Sequence, residues 1–168
     1  IRDRTEQVHN RLYREGATDV QVGPFSREEW ELLVRAPAMM FFLVSAADGE
    51  IDKKEIEAFT ALCARHHVQL SEMLGVVLQS AVPRLGALVV EVMATSADLM
   101  AILPKVRGIV EEKLSPHKAT EFLRGLHDIA TQVAASSGGF LGFGGKISKQ
   151  EKVILEKIAA ALGLDEAD

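Results

Sequence analysis

Three helix start signals of the same kind constrain what this chain can fold into. In each of them a Ser or Asp is followed three residues later by a Glu. In such a capping box the two side chains bond free N–H groups at the first turn of a helix. The boxes pair Ser26 with Glu29, Asp52 with Glu55, and Ser148 with Glu151. Apolar residues follow each box at helical spacing, and no stretch alternates apolar and polar residues as a half-buried strand does. The sequence therefore predicts an all-α fold.

The amino-acid composition agrees with a helical domain and limits its function. The 168 residues include 21 Ala and 19 Leu, the types with high helix propensity, against seven Phe, one Trp and one Tyr. A chain of this length suits one domain with a sizeable core. Its net charge of −5 argues against a nucleic-acid-binding role, which needs a basic surface. The single cysteine excludes an internal disulfide, and the longest apolar run, residues 38–44, is too short to span a membrane.

Proline and glycine residues divide the chain into further helices. Residues 2–14 form a moderately amphipathic helix in this interpretation. The helix opened by Ser26 should end near Arg35, because a residue that precedes proline avoids the helical region, and Pro37 should open a new, buried helix. The other predicted helices cover residues 52–67, 71–79, 83–95, a stretch from Ser96 or Asp98 that Pro104 kinks or divides, 115–136 and 148–162. We therefore expect a compact bundle of about seven to nine helices.

Two segments of the chain resemble each other. Residues 46–49 match residues 135–138 at an offset of 89, and residues 51–55 match residues 147–151 at an offset of 96. The second loop is therefore seven residues longer than the first. Each copy consists of a helix, a turn of small residues, a loop, a capping box and a helix. This repeat predicts two related helical halves whose loops lie close together.

The repeated segments resemble the TerB-like tellurite-resistance domain family. The resemblance is carried by residues 46–55 (AADGEIDKKE) and 146–151 (KISKQE), and it extends from about Ser26 to Leu164. It implies an N-terminal helical extension over residues 1–25 and a TerB-like helical domain over residues 26–168. Family membership further implies a bacterial, non-enzymatic stress-response module that binds metal through its acidic loop and acts with membrane-associated protein partners. The implied location is cytoplasmic or peripheral to the inner membrane, and homo-oligomerisation stays open.

The acidic loop of the first repeat is a candidate site for a divalent cation. The candidate ligands are carboxylates that alternate along this loop, with one more from the second half: Asp48, Glu50, Asp52, Glu55 and Glu151. Oxygen ligands of this kind suit Ca²⁺ or Mg²⁺. A purely structural interpretation stays open beside it, because Asp52 and Glu55 also form a capping box and Asp48 begins an Asp-Gly turn. The second copy has serines in place of Asp48 and Asp52, which argues against a symmetric pair of sites.

The glycine-rich loop, residues 138–146, supports an alternative function. It carries Phe140, Leu141 and Phe143 among five glycines, which is an unusual composition for a loop left in water. The alternative to cation binding is therefore a metal-free protein- or membrane-docking module that uses this loop. Its sequence departs from a Walker phosphate-binding loop, which has a glycine where Phe140 stands.

Two further groups of residues have the right types for chemistry but not the right arrangement. Cys63, His66 and His67 have a spacing that zinc could use, yet Cys63 matches an alanine of the second repeat, which favours a packing role. His127 and Ser136 are nine residues apart on one predicted helix, or about 13 Å, too far for a base to activate a nucleophile. The sequence therefore predicts no catalytic residues.

Overall fold

The computed structural model describes residues 22–47, 49–66, 71–137 and 147–164, and most of these residues lie in helices. Apart from one isolated bridge between Val22 and Phe25, these residues form no β-structure. The helices are α1 (Arg27–Ser45), α2 (Lys53–His66), α3 (Glu72–Ala81), a 3₁₀ turn (Val82–Arg84), α4 (Leu85–Ala94), α5 (Leu99–Lys113), α6 (Pro116–Ser137) and α7 (Lys149–Ala161). The predicted all-α class is confirmed.

The number of separate helical rods is six in this part of the chain, because α3, the 3₁₀ turn and α4 follow one another without a break from Glu72 to Ala94. The predicted total of seven to nine helices is not confirmed, nor are the two related halves. The predicted helix over residues 2–14 lies outside the described residues. The domain boundary predicted after residue 25 stays a prediction.

The three capping boxes form as the sequence predicts. Ser26 Oγ accepts the Glu29 N–H at 3.1 Å, while the Glu29 carboxylate accepts the Ser26 N–H at 2.8 Å. The same reciprocal pair of bonds begins α2 and α7. At the other end of α7, Gly163 adopts a φ of +70°, and the Leu164 N–H bonds the Ala159 carbonyl at 2.8 Å. These features form a Schellman ending, and they place the end of α7 close to the predicted residue 162.

The predicted helix break at Pro37 is wrong. Helix α1 is 19 residues long and continues through this proline without a break. Helix α5 continues in the same way through Pro104. An interior proline costs about 3 kcal/mol. The neighbours of Pro37 on both sides, among them Leu33 and Met40, are completely buried, and each large apolar side chain contributes about 1.5–3 kcal/mol when it is buried. Burial along the whole of α1 therefore outweighs the local preference to break.

Helix α1 is the central element of the core, and its second half is the apolar stretch after Pro37 that the sequence predicts to be buried. It packs against α3, α4, α5, α6 and α7. Its link to α2 is aromatic: the rings of Phe41 and Phe59 stack with their centroids 4.6 Å apart and their planes 15° from parallel. Helix α2 also packs against α3, α4 and α6.

The rod from Glu72 to Ala94 is long and apolar enough to cross a membrane by length and composition. It has 23 residues and a mean hydropathy of 1.7 over its most apolar window. Buried residues make up 39% of that window, and the completely buried side chains of Leu74, Leu78 and Leu88 belong to the core of the domain. Core helices of globular domains have the same composition, so this rod is weak evidence for a membrane span.

Candidate functional site

The carboxylates of the predicted cation loop serve the start of α2. Asp52 Oδ1 accepts the Glu55 N–H and Glu55 Oε2 accepts the Asp52 N–H, both at 2.8 Å. Glu50 and Asp52 are exposed, Glu55 is half-buried, and Asp48 lies outside the described residues. The structure therefore gives Asp52 and Glu55 the capping role that the sequence left open as an alternative.

Glu151 has the same role at the start of α7. Its carboxylate accepts the Ser148 N–H at 2.8 Å, and its side chain is almost completely buried, with 2% exposed. Within the described ranges, no three His, Cys, Asp or Glu side chains come together in a group that could hold a metal ion. Carboxylate oxygens are suitable ligands for Ca²⁺ or Mg²⁺. The described carboxylates, however, do not lie close enough together to coordinate one ion. The cation site stays a prediction.

A pocket of about 260 Å³ lies beside this loop, between α2 and the C-terminal ends of α1 and α6. Its apolar floor is formed by Phe41, Ala58, Phe59, Leu62 and Val133. Five polar side chains also line the pocket. Lys54, Glu55, Arg65 and Ser136 form its more exposed rim, while Ser45 is itself buried. A concave apolar surface with a few polar groups around it is the usual form of a binding site for a small molecule. We take this pocket as the candidate functional site.

The pocket exists because three helices meet at the stack of Phe41 on Phe59. Helix α2 presents Glu55, Ala58, Phe59 and Leu62 to it, at the spacing of three and four residues that places side chains on one helix face. Ala58 is too small to fill the space beside the two rings. Ser45 and Ser136 reach the same pocket from the ends of α1 and α6, so the helices that lead into the two repeated loops end close together.

Sequence reasoning did not find this pocket. The apolar face of α2 was visible in the sequence, but such a face usually packs against the core. The sequence gives no signal that Val133, more than 70 residues further along the chain, approaches Phe59 without filling the space beside it.

Cys63 is a buried packing residue on α2. It is 1% exposed, and burial raises the pKa of its thiol to about 12. Because the thiolate is the form that binds metals and attacks electrophiles, this cysteine is inert at neutral pH. His67, which has the spacing from Cys63 that zinc could use, lies outside the described residues.

His127 joins two helices. Its Nε2–H donates to the carbonyl of Leu155 at 3.1 Å, which connects α6 to α7. The hydroxyl of Ser136 donates instead to the carbonyl of Gln132, within its own helix. The absence of catalytic residues stays a prediction. The glycine-rich loop 138–146 lies outside the described residues.

Comparison with known proteins indicates no function for this chain. No protein-family model, no curated protein and no solved structure matches it. Membership of the TerB-like family therefore stays a prediction that depends on the two repeated segments. The class of ligand has to be inferred from the shape and charges of the pocket.

Proposed function

We propose that the protein is a non-enzymatic binding module and that the pocket between α1, α2 and α6 is its ligand site. The observation that carries the proposal is the combination of a concave apolar floor with a polar rim, in a volume of about 260 Å³. Most pockets for drug-sized ligands have about 300–1,000 Å³. The ligand is therefore a small molecule, or one apolar group of a larger partner.

Binding without catalysis is supported by the chemistry of the pocket. Catalysis by a nucleophile needs a base within hydrogen-bond distance of it. The hydroxyl of Ser136 donates to a helix carbonyl, and the Glu55 carboxylate accepts a backbone N–H. The resemblance to stress-response modules adds the expectation that a bacterial protein of this kind works by engaging partners, and the pocket offers a place for that contact.

The proposal is tested with octanol, a neutral linear probe, in amide-resolved NMR titrations of the whole chain. We expect saturable shifts of amides in α2 and at the ends of α1 and α6. The variant Ala58→Trp should abolish them, because an indole at this position fills the pocket. The matched control is Ala64→Trp, since Ala64 is also exposed on α2 but does not line the pocket.

Two outcomes would overturn the proposal. One is an absence of saturable shifts around the pocket at any soluble octanol concentration. The other is equal binding by Ala58→Trp and the control, with both variants folded by circular dichroism. Either result would mean that octanol does not bind in the pocket between α1, α2 and α6.

A further inference from the structure

The shape of the pocket favours an extended ligand. The lining residues of α2 run from Lys54 to Arg65, which are eleven residues apart. At 1.5 Å per residue this corresponds to about 17 Å along the helix. The floor between them is apolar and includes the stacked rings of Phe41 and Phe59. A linear aliphatic chain can follow an apolar lining that extends along a helix, whereas a compact polar molecule leaves most of that lining without a partner.

The charges at the rim favour a negative end group. Lys54 and Arg65 are positive, and Glu55 is the only acidic residue among the side chains that line the described pocket. The Glu55 carboxylate lies at the Lys54 end, where it accepts the Asp52 N–H. At the other end Arg65 is exposed, and none of the described carboxylates lies within 4.0 Å of its guanidinium. Arg65 is therefore the charged side chain that the described pocket lining offers at this end.

We propose that the pocket binds a linear aliphatic carboxylate, with its chain along the apolar floor and its carboxylate at Arg65. The proposal rests on the proposed function, since it names the ligand class of the same pocket. A guanidinium holds a carboxylate through two parallel N–H···O bonds, which gives direction as well as attraction. The hydrocarbon chain supplies most of the affinity by leaving water.

The contribution of Arg65 is modest because this residue is exposed. Ion pairs at a surface typically change an equilibrium by less than about fivefold. The C-terminal carbonyls of α2 lie near Arg65 and partly oppose an anion there. We therefore expect octanoate to bind about three- to fivefold more tightly than octanol at low salt, and octylammonium to bind more weakly than both.

The experiment compares these three probes on the whole chain by NMR titration at low and high salt. Arg65→Gln keeps most of the side chain and removes its charge. It should lower octanoate affinity to that of octanol and leave octanol affinity unchanged. Lys152→Gln is the matched control, since it removes one positive charge from the exposed face of α7, which does not line the pocket. High salt should reduce the octanoate preference in the original chain.

The outcomes separate the two proposals. If octanol and octanoate bind equally and Arg65→Gln changes neither, the carboxylate inference is wrong while the pocket remains a binding site. If octylammonium binds most tightly, Glu55 determines the preference and the inference is also wrong. If none of the probes shifts the pocket amides, the proposed function itself fails.

Discussion

The close approach of α3 to α6 at Gly125 predicts a measurable cost for one added methyl group. Gly125 is buried in α6, and a Cβ placed on it would lie 2.5 Å from Cδ2 of Leu74 in α3. Ordinary van der Waals contact with a Cβ begins at about 3.4 Å. Leu74 is itself 0% exposed, so its side chain has little room to move. Gly125→Ala must therefore displace Leu74 or separate the two helices.

The size of the effect follows from two opposing contributions to the free energy of unfolding. Alanine in a helix interior is favoured over glycine by about 1 kcal/mol. Overpacking of a close-packed core costs about 1–3 kcal/mol. We expect a net loss of about 1 kcal/mol, measured by urea unfolding followed by circular dichroism. Gly108→Ala in α5 is the matched control, because nothing lies within 4 Å of its Cβ position, and it should gain up to about 1 kcal/mol.

A double-mutant cycle tests whether Leu74 is the cause. Leu74→Ala alone should cost about 2–5 kcal/mol, as large-to-small substitutions in cores do. In the Gly125→Ala background it should cost less, because the new methyl group occupies part of the vacated space. The reasoning is refuted if Gly125→Ala is as stable as Gly108→Ala, or if the cost of Leu74→Ala is the same in both backgrounds.

Three further predictions concern a thiol, a histidine and the acidic loop. Burial raises the pKa of Cys63 from 9.0 to about 12, so only the unfolded chain loses this proton between those pH values. The free energy of unfolding should therefore fall as pH rises above about 9. Urea melts at about pH 8 and about pH 10 measure this fall, which should be smaller for Cys63→Ala than for the original chain. His127→Leu should cost about 1 kcal/mol of unfolding free energy in the same melts, because the bond to the Leu155 carbonyl is lost, and an unchanged value would contradict that bond. If the acidic loop binds Ca²⁺ or Mg²⁺, millimolar metal should raise the melting temperature and Asp48→Asn with Glu55→Gln should abolish the rise; no heat of binding in calorimetry would exclude the site.

The local structure at helix ends could be predicted from the sequence because the interactions that decide it span only a few residues. A capping box is complete within four residues, so Asp52 and Glu55 carry enough information to place the start of α2. Gly163 ends α7 for a similarly local reason, since glycine adopts a positive φ at little cost. The all-α class follows from such signals together with the helical spacing of apolar residues.

Tertiary packing decided the features that depend on residues far apart in the chain. Pro37 stays inside α1 because burial on both sides of it outweighs a local cost that the sequence pattern shows correctly. The same limit applies to the pocket: Phe41, Phe59 and Val133 come from three helices, and the space between them depends on how those helices approach. Local sequence determines the helix ends that carry a capping box or a C-terminal glycine, because the hydrogen bonds there are local. Only the packing of whole helices determines which side chains meet and where a cavity remains.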